Sequence, residues 1–249
     1  MSTEDKRNAV CLTSGGVDSV TATYYVSKVL KPSKMLIIFC NYGQRTYRYE
    51  EFCIRKISQI LNAEMKLVDM KWLGEISTSL LTHPEKEIPE TKEEELWNEE
   101  KARERILRWW DPCRNALLLL VGLAHAESLF ISGRGRYDVY IGIRRETPVP
   151  MKDNTPEFIE EMNRLQEVAT HHGGYRLVAP LITKDKDDVV DLGEKLGVPW
   201  KYTYSCYSGA GFTKVGEELL PIHCGKCSNC KRRRLAFKQA NVPDPSIYL

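Results

Sequence analysis

Six residues near the amino end, Ser14-Gly15-Gly16-Val17-Asp18-Ser19, have the types and spacing to hold an anion. They follow a short apolar run, Ala9-Val10-Cys11-Leu12, and precede an apolar-periodic stretch from Val20 to Val29, so the local order is strand, glycine turn, helix. The glycines let backbone N–H groups approach an anion closely, and Ser14 and Ser19 add hydroxyl donors. The helix that follows turns the positive end of its dipole toward the same point. A phosphate group suits this arrangement. Neither the Walker A pattern nor the dinucleotide-binding glycine fingerprint is present.

A second constellation lies near the other end. Cys224, Cys227 and Cys230 place three thiols on one tight turn, and Cys206, with seventeen residues between it and Cys224, is the fourth. Four thiolates in a reducing compartment make a tetrahedral zinc site with no position open to water, hence a structural one. A 4Fe–4S cluster could use the same ligands, and His223 could compete as a ligand. Lys226, Lys231, Arg232, Arg233 and Arg234 offset the thiolate charge. The expected role is to fasten the tail from Ser205 to Leu249, which has little apolar content of its own. The other cysteines, Cys11, Cys40, Cys53 and Cys113, are scattered and form no disulfide framework.

These groups need a scaffold. The 249 residues suffice for one large α/β domain or a domain with an appendage, and 42% hydrophobic with 28% charged residues is ordinary for a globular chain. A formal net charge of +2 disfavours a nucleic-acid partner. No apolar run is long enough to cross a membrane, and Met1 to Arg7 lacks the apolar core of a signal peptide, so the cytoplasm is expected. Met35 to Asn41 reads as a buried parallel strand, followed by the loop Tyr42-Gly43-Gln44-Arg45 and a helix over Tyr49 to Leu61. Met65 to Val68, Asp138 to Ile143 and Tyr175 to Ala179 read as further strands. Arg114 to Leu129 reads as a core helix with His125 packed on it, and Thr155-Pro156-Glu157 opens a helix running to about Thr170. His171-His172 reads as a surface loop and Lys186 to Leu196 as a last helix. Strands alternating with helices imply a doubly wound, mostly parallel sheet whose ligands bind at the carboxyl ends of the strands. Pro84 to Arg108 is charge-dense and reads as a solvated helix or mobile insertion, with a lid over the site as the sharper alternative.

The string at Ser14 to Ser19 matches the signature of the PP-loop ATPases, which hold the β,γ-pyrophosphate there and split ATP to AMP and pyrophosphate. Together with the cysteine cluster it resembles the 7-cyano-7-deazaguanine (preQ0) synthase family, usually called QueC, in its archaeal form. The resemblance covers nearly the whole chain. It includes Asn41 to Arg45, Arg114-Asn115, Gly142, Asp153 to Phe158, Leu196 to Pro199, Tyr204 to Tyr207 and Cys224 to Phe237. It implies a nucleotide-binding ligase domain over residues 1–204, with a charged insertion at about 84–110, and a zinc-binding segment over 205–249 packed on it.

The reaction implied is carbon–nitrogen ligation. The carboxylate of 7-carboxy-7-deazaguanine attacks ATP, ammonia converts the acyl-adenylate to an amide, and a second ATP drives loss of oxygen to the nitrile. The resemblance assigns ATP contacts to Leu12, Ser14, Gly15, Gly16, Val17, Asp18, Ser19, Tyr42 and Gln44. It assigns charge-offsetting or catalytic roles to Asp18, Arg45, Arg114 and Lys186, with Asp18 contacting Mg2+ directly or through water. Purine contacts fall on Arg114, Asn115, Gly142, Arg144, Glu146 and Asp153. Family members tend to pair, so a homodimer is implied. Departures from the family pattern are Cys113 before the Arg-Asn pair, Arg144 in place of Asn, Met151-Lys152 before Asp153, and the long Cys206–Cys224 spacing. They bear on the purine more than on ATP. The rival readings are a relative that stops at the amide or acylates another amine, a tRNA-thiolating enzyme, and a nucleotide-binding module without turnover.

Overall fold

The computed structural model describes residues 7–146 and 148–249. The first half runs β1 (Asn8–Leu12), α1 (Val17–Tyr25), β2 (Met35–Asn41), α2 (Tyr47–Leu61), β3 (Glu64–Asp69), α3 (Lys71–Ile76), α4 (Glu99–Arg108) and α5 (Arg114–Ile131). The second half runs β4 (Tyr137–Ile141), α6 (Pro156–Ala169), β5 (Leu177–Val178), α7 (Lys186–Lys195), β6 (Phe212–Val215), β7 (Glu218–His223), α8 (Ser228–Gln239) and β8 (Ile247–Tyr248).

Five strands form one parallel sheet in the order β3-β2-β1-β4-β5. β1 lies in the middle and is buried along its length. Its alternate residues feed two cores. Ala9 and Cys11 face α1, α2, α7 and α8, where Val20, Ile54, Val189 and Phe237 pack. Val10 and Leu12 face α5 and α6, where Leu119, Leu123 and Met162 pack. Burial on both faces explains why the strand reads as an unbroken apolar run rather than an alternating one. The strand order reverses between β1 and β4, and the crevice this opens at the carboxyl edge is where doubly wound sheets bind ligands.

Against the expectation that no apolar run is long enough to cross a membrane, α5 has the length and apolar composition to do so, yet Leu119, Leu123 and Ala126 pack it on the sheet. Gly122 lets it come close, since a Cβ there would lie 2.5 Å from Val139 Cγ1. The expected helix start at Thr155 holds. Thr155 Oγ1 accepts from the Phe158 N–H at 3.2 Å, with Pro156 opening α6.

Three expectations need correction. The strand expected over Tyr175 to Ala179 shrinks to Leu177–Val178, because only that stretch pairs with β4. The expected helix over Val20 to Val29 starts earlier and changes pitch at Val26–Leu30, where it ends in a π turn closed by Lys31 at φ 48°. The tail is less polar in effect than its composition implies. β6 and β7 pair antiparallel, β8 adds to β7 in parallel, and Leu220, Ala236 and Phe237 join the core beneath β1. Arg233 is 0% exposed and ties the tail from inside, donating to Asp244, to Thr203 Oγ1 at 2.8 Å and to Ser205 Oγ at 3.2 Å.

Candidate active site

The loop after β1 is held in shape by its own side chains. Ser19 Oγ accepts from the Ser14 N–H at 3.1 Å, donates to the Gly16 carbonyl at 3.2 Å and meets Ser14 Oγ at 3.0 Å. Gly15 sits at φ +83°, and a Cβ there would lie 3.1 Å from the Glu50 carbonyl oxygen. Only glycine fits both demands. Gly16 caps α1 in an extended conformation, so the first amides of α1 are free to point at an anion. The Tyr204 N–H donates to the Gly15 carbonyl at 2.7 Å, which fastens the loop to the segment leading into the cysteines.

A cavity of ≈ 320 Å³ opens at this loop, within the range of about 300–1,000 Å³ typical of ligand sites. Its walls come from the carboxyl ends of β1, β2 and β4, the start of α5, the inner face of α4 and the cysteine helix α8. Of the residues expected at the nucleotide, Leu12, Ser14, Gly16, Val17, Asp18, Ser19, Tyr42 and Gln44 line it. Gly15 shapes the loop from behind. Gln44 is buried with its amide engaged, donating to the Cys40 carbonyl and to Glu50 and accepting from the Tyr42 N–H, so it frames the wall.

Charged groups cross the cavity as one network. Lys186, at the start of α7, places Nζ 2.8 and 2.7 Å from the two oxygens of Asp18. Arg144, 4% exposed, brings Nε to 3.4 Å from Asp18 and Nη2 to 3.2 Å from Glu146, and its main chain bridges to Leu181. Arg232 of α8 closes the chain, with Nη1 2.5 Å from the other Glu146 oxygen. Burial works against ionising Asp18, but Lys186 and Arg144 outweigh it and hold its carboxyl below the usual range. Both Asp18 oxygens are thus engaged by an ammonium.

Other expectations are placed differently. Arg45 does not line the cavity, because its guanidinium donates to the carbonyls of Leu80, His83, Pro84 and Lys86 and pins the following loop instead. Arg114 lines the wall and pairs with Asp111 at 3.0 Å. Asn115 also lines it and reaches Asn154 at 3.0 Å; Asn154, rather than Asp153, faces the cavity. Asp153 keeps a buried Oδ1 without a partner, and burial raises its carboxyl despite Arg114. Gly142 lines the wall for a steric reason, since a Cβ would lie 2.4 Å from Ser19 Cα and 2.7 Å from Ser19 N. Cys113 is exposed at the start of α5 and does not line the cavity. The charged stretch from Pro84 is neither fully solvated nor loose. Leu96 and Ala102 are buried, the Thr91 N–H donates to the Lys226 carbonyl at 3.1 Å, and Arg105, Ile106 and Trp109 form part of the wall.

Glu50, Trp109, Tyr207, Asn229 and Arg232 line the cavity and were missed by sequence reasoning as site residues. Glu50 had a readable signal, since it falls one turn before the buried Cys53 and Ile54 and so puts a carboxylate on the apolar face of α2. Tyr207, Asn229 and Arg232 fall within the family-like segments Tyr204 to Tyr207 and Cys224 to Phe237, whose only reading is the metal site, and Trp109 closes the insertion.

The four expected thiols converge. The sulfurs of Cys206, Cys224, Cys227 and Cys230 all lie within 4.8 Å of one another, and Cys224 Sγ is 3.9 Å from Cys230 Sγ. That is too long for a disulfide and matches the S···S distance of about 3.8 Å of a tetrahedral metal–sulfur site with bonds of about 2.3 Å. N–H groups of Ser208 and Cys224 approach Cys206 Sγ at 3.3 Å, and that of Cys227 approaches Cys224 Sγ at 3.4 Å, which favours thiolates. The cluster can bind a metal. His223 stays out of it, with Nε2 accepting from the Ser205 N–H at 3.1 Å. Burial and the nearby Arg233 charge pull its pKa down to about 3, so the ring is neutral.

The sequence profile described as "Queuosine biosynthesis protein QueC" matches residues 8–241. The chain belongs to the QueC family. A QueC relative from Methanocaldococcus jannaschii, named 7-cyano-7-deazaguanine synthase, is 39% identical over 247 residues, covering 97% of this chain and 99% of its own. One of the same name from Methanococcus maripaludis strain C7 is 35% identical over 246 residues, covering 97% and 98%. Among solved structures, the U34-tRNA thiolase NcsA from Methanococcus maripaludis with its [4Fe-4S] cluster gives a TM-score of 0.41 at 15% identity, covering 78% of this chain and 58% of that one.

Proposed function

We propose that this chain is an ATP-dependent carbon–nitrogen ligase that makes 7-cyano-7-deazaguanine from 7-carboxy-7-deazaguanine and ammonia, releasing AMP and pyrophosphate. Full-length relatives carrying the synthase name support it, and they favour the nitrile over an amide product or tRNA thiolation. The observation that carries the chemistry is the cation cluster of Lys186 and Arg144 beside the amide loop, at the point where the sheet reverses.

A carboxylate resists attack by ammonia because its leaving group would be oxide. Bonding one of its oxygens to the α-phosphorus of ATP breaks the bridge to the β-phosphate, whose electron pair leaves on pyrophosphate. The amides from Ser14 to Ser19 are suited to hold that departing anion, and Lys186 and Arg144 to offset its charge. Ammonia then bonds to the acyl carbon as AMP departs, and a second adenylation of the amide oxygen allows its loss to the nitrile. Mg2+ bound to ATP would offset phosphate charge, carried in mainly by the phosphates themselves. Arg114, Asn115, Arg144 and Glu146 are proposed to meet the purine. The metal is proposed to be zinc, one per chain, held by the four thiolates in a closed site.

Incubation with ATP, Mg2+, ammonium and 7-carboxy-7-deazaguanine tests the reading. The expected products are AMP, pyrophosphate and the nitrile, identified by mass. Release of ADP and orthophosphate, or no substrate-dependent AMP, would overturn it.

A further inference from the structure

The ligase reading leaves one demand unmet. Near neutral pH ammonia is almost all ammonium, whose nitrogen has no lone pair with which to attack. A group in the cavity that bound that cation and accepted its proton would supply ammonia where it is needed. Three carboxylates line the cavity: Asp18, Glu50 and Glu146. Asp18 is engaged by Lys186 and Arg144, and Glu146 by Arg144 and Arg232. Glu50 differs. Among the described residues no lysine, arginine or histidine nitrogen lies within 4.0 Å of its carboxylate. Two neutral donors hold it instead, Thr46 Oγ1 on one oxygen and Gln44 Nε2 on the other at 3.1 Å.

Its position is as telling. Glu50 is half-buried in the first turn of α2, which packs against Gly15 of the phosphate loop. The rings of Tyr42, Trp109, Tyr204 and Tyr207 line the same cavity, a setting that favours a small cation over an anion. We propose that Glu50 binds ammonium and accepts its proton, so that ammonia forms beside the activated carboxylate. This rests on the ligase reading above. Ammonium gives one proton to the Glu50 carboxylate, leaving ammonia and a neutral carboxyl. The nitrogen lone pair forms the C–N bond while the bond from carbon to the AMP oxygen breaks, its electron pair leaving on AMP. The surplus proton on the new amide nitrogen passes to water.

Burial pushes the Glu50 carboxyl above the usual range, against the pull of Thr46, Gln44 and Arg114. A raised carboxyl is the better proton acceptor near neutrality. The other titratable groups that bear on it are Tyr42 from the loop after β2 and Cys53 one turn along α2.

Glu50→Gln separates the steps. Pyrophosphate exchange into ATP, measured with 7-carboxy-7-deazaguanine and no ammonium, is expected to persist. The kcat/KM for ammonium is expected to fall at least about 100-fold near neutral pH, with the deficit shrinking as pH rises and free ammonia grows. Hydroxylamine, neutral without help, is expected to give hydroxamate at the wild-type rate. Unchanged ammonium kinetics would overturn the proposal, and so would equal losses with ammonium and hydroxylamine, which would mark a structural role. If the variant does not fold, Glu50→Asp is measured in the same way, and an ammonium-specific loss is again required. A wild-type protein showing no exchange at all would instead remove the ligase reading, and the proposal with it.

Discussion

Lys186 shows how much one side chain decides. Its sequence context is a helix start rich in acids, Asp185 to Asp188, and only the family resemblance marks it as a site residue. The fold carries its ammonium to both oxygens of Asp18, 168 residues away in the chain. If it offsets phosphate charge, Lys186→Met should lower kcat for AMP release by about 10²–10³-fold, the range seen when a preorganised charge-stabilising donor is removed. A steady-state comparison at saturating substrates checks this, and an unchanged kcat would take Lys186 out of the chemistry. Arg45 teaches the reverse. It stands beside the cavity in sequence, and its guanidinium is consumed by four carbonyls of the next loop.

Elements position these groups through close backbone contact. The end of β4 approaches the start of α1 at Gly142, where any Cβ would strike the Ser19 main chain. Main chain cannot swing aside as a side chain can, so Gly142→Ala should destabilise by about 1–3 kcal/mol or more. At about 2–4 °C per kcal/mol for a chain of this size, the melting temperature reports it. The cysteine turn acts on a larger element. α8 carries Cys230 and Arg232 within one turn, so the thiol cluster and the Glu146 ion pair are parts of one unit. Cys227→Ser should lower both metal content and melting temperature. A variant that kept its metal and its stability while losing rate would refute the structural role.

At the scale of the molecule, the tail is fastened from two sides: the thiols, and Arg233 buried against Asp244. Burial raises the Asp244 carboxyl, but Arg233, Tyr248 and Ser246 outweigh it and hold it below the usual range. A carboxyl depressed in the folded state adds stability above its ordinary value of about 3.9 and loses it as pH falls through the folded value. Asp244→Asn should therefore cost about 3–5 kcal/mol near neutral pH, because it strands a buried guanidinium. The difference from wild type should narrow in acid, and a pH series of denaturant melts reads it.

The sequence by itself determined what local chemistry can announce. An apolar run before glycines and serines makes a strand and an anion loop wherever it falls. Three thiols with two residues between neighbours can converge without help from the rest of the fold. Thr155-Pro156 caps a helix on its own. Only the tertiary structure decided which charges meet. Asp18, the Arg144–Glu146 segment, Lys186 and Arg232 come from four separate stretches, and long-range pairing depends on sheet order and helix packing rather than on spacing. Tertiary packing also turned a charge-dense insertion into a cavity wall, because the few apolar residues in it, Leu96, Ala102 and Ile106, found a surface to cover.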